Sequence, residues 1–116
     1  MRLPRADVYD AQCPSRVVLT HVTSKWGVLV LVALAEGMHR FSELRRKVGG
    51  VSEKMLAQTL TVLEQDGFVK RTAYAEVPPR VEYRLTPMGK EIAARVEGLV
   101  DWIEQNLPRV QRARAA

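Results

Sequence analysis

Residues 41–66, FSELRRKVGGVSEKMLAQTLTVLEQD, constrain the fold of this chain more than any other stretch. They read as a short helix starting near Ser42, a break at Gly49-Gly50, and a longer helix starting at Ser52. Serine suits an N-cap because its hydroxyl accepts from an otherwise orphaned backbone N–H, and Glu43 and Glu53 follow where the helix dipole favours negative charge. Two helices punctuated in this way predict a helix-turn-helix.

At helical spacing the longer helix separates into two faces. Leu56, Leu60 and Leu63 share one side, with Ser52 and Thr59 near them, while Lys54, Gln58, Thr61 and Gln65 line the other. The polar side can donate to phosphates and base edges, and glutamine pairs bidentately with adenine. Taken alone it is equally the solvated face of an ordinary surface helix. Arg45-Arg46-Lys47, one turn before the break, favours the first reading, because the first helix of such a motif crosses the sugar-phosphate backbone.

A chain of 116 residues is large enough for one domain with a modest core, to which a partner subunit would add area. Its 18 Lys and Arg against 13 Asp and Glu give a formal net charge of +5, which suits an anionic partner such as nucleic acid. The longest apolar run, residues 28–35, falls well short of the ~20 residues that span a bilayer, so a buried helix is expected and no membrane segment. The charged N-terminus, MRLPRADVYDAQ, lacks the apolar stretch of a secretory signal, and the expected location is the cytoplasm. Cys13 is the single cysteine, which rules out an intramolecular disulfide and agrees with a reducing compartment.

In chain order, residues 1–12 read as a loose arm, and Cys13-Pro14 as the cap and first position of a helix to about Val22. Thr23-Ser24 interrupts the chain before a second helix, residues 25–36, apolar on nearly all sides and closed by Gly37. Its β-branched content leaves strand as the alternative. Residues 38–41 form a short extended link that pairs as a minor strand. Past the central pair, Gly67 ends the long helix, residues 68–74 read as a strand, Pro78-Pro79 turns the chain, and residues 81–85 return with apolar and charged side chains alternating. The fold expected is mainly α with a small antiparallel β-hairpin, a winged helix-turn-helix whose wing tip is residues 75–80. Thr86-Pro87 opens a last helix to about Asn106, stopping before Pro108 and leaving a fraying basic tail. Met88, Ile92, Val96, Leu99 and Ile103 form its apolar stripe, widened by Val100, Trp102 and Leu107. That stripe predicts a dimerisation helix, with packing against the chain's own core as the alternative.

Several segments together resemble the HxlR-type bacterial transcriptional regulators. They are Cys13-Pro14, Lys25-Trp26, Arg40-Phe41-Ser42-Glu43-Leu44, Val51-Ser52 with Lys54-Met55-Leu56, Leu63-Glu64 with Asp66-Gly67, and Val77-Pro78-Pro79-Arg80-Val81-Glu82-Tyr83 with Leu85-Thr86-Pro87. The resemblance covers about residues 13–102, and its Pro-Pro-Arg-Val-Glu-Tyr wing is quite specific. It implies a winged-helix homodimer on double-stranded operator DNA, with the DNA-binding part at about residues 25–86 and dimerisation helices at about 8–24 and 87–108. Val17, Ile92, Val96, Leu99, Trp102 and Ile103 are the interface residues this implies. It also implies repression as the default, and a cysteine before the first helix that in several members senses oxidants or reactive electrophiles. The chain departs from the family pattern at Thr23-Ser24, where a glycine pair is common, at Gly27, where a hydroxyl residue is usual, and at Gly49, where proline often stands.

On this reading Ser52, Lys54, Met55 and Gln58 lie nearest the bases, with half-sites about 34 Å apart. Ser42, Arg45, Arg46 and Lys47 hold the DNA backbone, and Arg80 reaches an adjacent groove or phosphate. Cys13 is the candidate regulatory thiol, activated by the helix N-terminus with Arg16 and His21 as helpers, or else an inert interface residue. The alternative function is an effector-binding or protein-interaction module that does not read DNA, with a cleft around Trp26 and Trp102, although both tryptophans read more naturally as core. His21 and His39 lack ligand-spaced partners and read as surface or capping residues. With no phosphate loop or nucleophile motif either, no enzymatic activity, metal or cofactor is expected.

Overall fold

A computed structural model describes residues 6–116. The elements are α1 (Pro14–Thr23), α2 (Lys25–Ala35), β1 (His39–Arg40), α3 (Phe41–Lys47), α4 (Glu53–Gln65), β2 (Val69–Tyr74), β3 (Arg80–Leu85) and α5 (Pro87–Ala115). Strands pair antiparallel in the order β1-β3-β2. The minor strand expected before the first helix of the motif therefore extends the hairpin to a three-stranded sheet, and the fold is a winged helix-turn-helix.

The core is built around α2, whose Val30, Leu31, Ala33 and Leu34 are all buried. Burial on most sides is what its near-continuous apolar run requires, and the chain meets that requirement as a helix capped by the Ser24 hydroxyl, which accepts from Gly27 N at 3.1 Å. Leu44 of α3 and Leu56, Leu60 and Leu63 of α4 complete the same cluster with Val48, Val51 and Phe68. Gly50 at φ 85° turns the chain between α3 and α4, with Val48 and Val51 anchored on either side. Gly67 at φ 83° ends α4.

Several boundaries differ from the sequence reading. The arm expected over residues 1–12 falls partly outside the described residues; from Asp7 on it forms turns, with Asp7 Oδ1 accepting from Tyr9 N and Asp10 Oδ1 from Gln12 N. The short helix begins at Phe41, so Ser42 lies within its first turn and caps nothing; Glu43 instead accepts from Arg40 N at 2.7 Å. Pro108 does not stop α5, which continues to Ala115. Proline removes one N–H, but this part of the helix is solvent-exposed, so water can take the freed carbonyl. Asn106 also bridges the site, donating to Trp102 O and accepting from Arg109.

The last helix sets the shape of the molecule. Its 29 residues extend about 43 Å, and only the first half lies on the body: Gly89, Ala93 and Val96 are buried. Beyond Val100 it projects into solvent. The radius of gyration, 16.5 Å, accordingly exceeds the about 13 Å of a compact domain of this length. Among the described residues no single helix is long and apolar enough to cross a membrane.

Candidate nucleic-acid interface

The geometry of α4 follows from its leucines. With Leu56 and Leu63 at 0% exposure and Leu60 at 2%, the opposite face is forced outward, and Lys54, Met55, Gln58, Thr61 and Gln65 are all exposed. Ser52 caps the helix by accepting from Met55 N at 3.0 Å, which fixes Lys54 in the first turn. Met55 and Gln58 also border a shallow groove against Thr20, His21 and Ser24 of the α1–α2 corner.

Cations flank this face from α3. Arg45 pairs with Glu53 at 2.8 Å, Lys47 pairs with Glu36, and both pairs are exposed, so each contributes little and exchanges readily with another anion. Arg46 is exposed and has no ion-pair partner among the described residues. Ser42 is exposed in the first turn of the same helix.

Arg80 is not a free finger at the wing tip. It is the first residue of β3, half-buried, with its guanidinium 4.1 Å above the Tyr74 ring and ion pairs to Glu76 at 3.2 Å and Glu82 at 3.6 Å. Glu82 is one of the charged residues in the alternation of β3, yet it is 6% exposed. Its neighbours on the same face of the sheet cover it: Arg84 Nη2 donates to its Oε1 at 2.7 Å and the Tyr74 hydroxyl at 3.2 Å. The missed residues of the wing are thus Tyr74, Glu76 and Glu82. The signal was the i, i+2 spacing of Arg80, Glu82 and Arg84, which puts opposite charges side by side on one face.

Cys13 is the N-cap of α1 and half-buried. Its thiol is held below its ordinary pKa, chiefly by the Ser15 hydroxyl, 3.0 Å from Sγ, then by the Ser15 and Asp7 backbone N–H groups; partial burial and the Asp10 carboxylate oppose the shift. The expected helpers are engaged elsewhere. Arg16 donates to Val8 O and Tyr9 O, and His21 hydrogen-bonds Asp66 Oδ2 at 2.6 Å, tying α1 to the end of α4.

Of the candidate interface residues, Val96 is buried in the chain's own core and Ile92 packs against it, because the first half of α5 lies on α2. Val17, Leu99, Trp102 and Ile103 are exposed, as are Val18, Leu19, Leu107 and Val110. Trp102, at 53% exposure, is not a core residue, whereas Trp26 packs on the core beneath Lys25. A cavity of about 460 Å³ lies between the end of α2, β3 and α5, lined by Leu34, Met38, Arg84, Leu85, Lys90 and Glu97; neither tryptophan borders it.

The family description "HxlR-like helix-turn-helix" matches residues 21–111. The chain is 63% identical over 113 residues to the uncharacterized HTH-type transcriptional regulator YtfH of Escherichia coli K12, covering 97% of this chain and 90% of that one. A YtfH structure from Salmonella typhimurium superimposes with a TM-score of 0.93 at 61% identity, covering 97% of this chain and 100% of that one. The redox regulator HypR in its reduced form is similar at a TM-score of 0.77 and 33% identity, covering 85% and 98%. The chain belongs to the HxlR-like helix-turn-helix family of transcriptional regulators.

Proposed function

We propose that the protein is a homodimeric repressor that inserts α4 of each subunit into successive major grooves of a pseudopalindromic operator. The observation that carries this reading is the exposed Lys54 and Gln58 on the face of α4 opposite its buried leucines, with Met55 exposed on the flank beside them. Lys54 and Gln58 read base edges from there, Ser42, Arg45, Arg46 and Lys47 hold phosphates, and α1 and α5 form the dimer across Val17, Leu99, Trp102 and Ile103.

Selection from a random duplex pool, with excess unrelated competitor, is expected to enrich a two-fold symmetric sequence with half-sites about 34 Å apart. Gln58→Ala should relax the preference at one base position per half-site at a cost of about 1–3 kcal/mol. Arg46→Ala should weaken all sequences alike and reduce the slope of log affinity against log salt by about 0.9 per subunit. An unselected pool, or a protein that leaves DNA at physiological salt, would count against the reading and favour an effector-binding or protein-interaction module.

The same proposal includes regulation through Cys13, whose thiolate attacks an electrophile or oxidant and thereby alters the dimer next to it. The lowered thiol pKa supports this, as does the likeness to the redox regulator HypR and to diamide-treated YodB of B. subtilis. Because hydrogen bonds stabilise the thiolate, its alkylation by iodoacetamide should reach half its limiting rate below the ordinary thiol value of about 8.5. Ser15→Ala should move that midpoint upward. If Ser15→Ala leaves the profile unchanged, the hydroxyl does not activate the thiol; if Cys13→Ser still releases DNA on electrophile treatment, Cys13 is not the sensor.

A further inference from the structure

Arg80 sits between two carboxylates of different character. Glu82, with its side chain 8% exposed, is fixed by Arg84 and the Tyr74 hydroxyl, so it cannot leave without stranding a buried charge. Glu76 stands in the tip loop with its side chain 49% exposed, and its ion-pair partner is Arg80 Nη2 at 3.2 Å. The guanidinium is pinned on its other sides by the Tyr74 ring, and its buried Nε has no hydrogen-bond partner, since Glu82 Oε2 lies at 3.6 Å. One partner is therefore permanent and one is exchangeable.

We infer that Glu76 is an internal stand-in for a DNA phosphate on Arg80, so that the wing is held closed to weak or incidental anions and opens its arginine only to a phosphate that displaces Glu76. The inference rests on the proposed operator binding and on the phosphate contact that the sequence reading expects of Arg80. Charge balance gives it a distinctive signature. When a phosphate takes Arg80, the duplex releases a counterion, but the freed Glu76 carboxylate recaptures a cation, so part of the expected salt dependence is cancelled. Glutamine at this position cannot recapture one.

The test is a double-mutant cycle on Glu76→Gln and Arg80→Ala, read by fluorescence anisotropy with a labelled mixed-sequence duplex long enough for both half-sites. The full-length protein is used, titrated with salt, and each variant is checked for an unchanged melting temperature. Glu76→Gln should tighten binding about two- to five-fold at low salt, the range of an exposed ion pair, and steepen the salt slope. In the Arg80→Ala background both gains should vanish. Equal tightening in both backgrounds would make Glu76 a general repulsive charge and overturn the inference. So would Glu76→Gln leaving affinity and slope unchanged while Arg80→Ala still weakens binding. If Arg80→Ala itself changes neither affinity nor slope, the wing contact falls first and the inference with it.

Discussion

Replacing Gly89 with alanine is expected to destabilise the fold by about 3 kcal/mol, a fall in melting temperature on the order of 10 °C. The position is in the first turn of α5, where alanine ordinarily favours a helix over glycine. Packing overrides that preference. A Cβ at Gly89 would lie 1.9 Å from Phe68 O and 2.8 Å from Phe68 C, both backbone atoms. They cannot move aside, because Thr86 N donates to Phe68 O at 3.0 Å and the Thr86 hydroxyl donates to Gly67 O at 2.6 Å. The same hydroxyl caps α5 by accepting from Gly89 N at 2.9 Å. The methyl would thus push the helix start off the beginning of β2 and strain the cap together with the sheet. Thermal unfolding followed by circular dichroism measures it. Gly98→Ala, which meets nothing within 4 Å, is the control and should be neutral or slightly stabilising. Equal melting temperatures for the two variants would mean that α5 is not held this tightly to the strand.

The contrast between those two glycines marks how much of the structure was legible in the sequence. Periodicity oriented the helices that bury a stripe, and Leu56, Leu60 and Leu63 were enough for α4, whereas α1 and α3 were located by their flanking cap and turn residues and α2 by its apolar run. Turn and cap chemistry set the helix ends wherever the partner is local, as at Ser52, Gly67 and Thr86. Contacts made where the chain turns back on itself left no such trace. Gly27 reads as an odd residue after Trp26 until the α1–α2 corner is seen, where a Cβ would come within 2.2 Å of His21 O and 2.7 Å of Ser24 Oγ. Ser24 Oγ is held there because it caps α2, accepting from Gly27 N at 3.1 Å. Glu82 likewise obeyed the strand alternation in direction but not in exposure, since its burial comes from Arg80, Arg84 and Tyr74 folding over it. For α5 the sequence offered dimerisation or packing on the chain's own core for the whole stripe, whereas one half faces α2 and the other faces solvent, which a continuous pattern cannot distinguish.

That division predicts the largest functional effect. Ile103→Asp is expected to convert the proposed dimer to monomer and to weaken operator binding at least about a hundredfold, the advantage that two linked half-site contacts hold over one. Leu99, Trp102, Ile103 and Val110 recur at spacings of three, four and seven on the projecting half of α5, and all are exposed, with Val17, Val18 and Leu19 exposed on α1. A lone folded chain seldom leaves so many large apolar side chains in water along one stripe. None of them is buried in the single chain, so a charge at Ile103 should leave the monomer folded, with a melting transition lowered only by the lost association and no longer dependent on concentration. Sedimentation velocity separates the association effect from any folding effect, and titration of the selected operator reads the consequence for DNA. Asp101 lies on the opposite side of the helix and is also exposed, so Asp101→Ala should alter neither quantity. An Ile103→Asp protein that still sediments as a dimer and binds the operator undiminished would show that the subunits meet elsewhere. The exposed stripe would then need another partner.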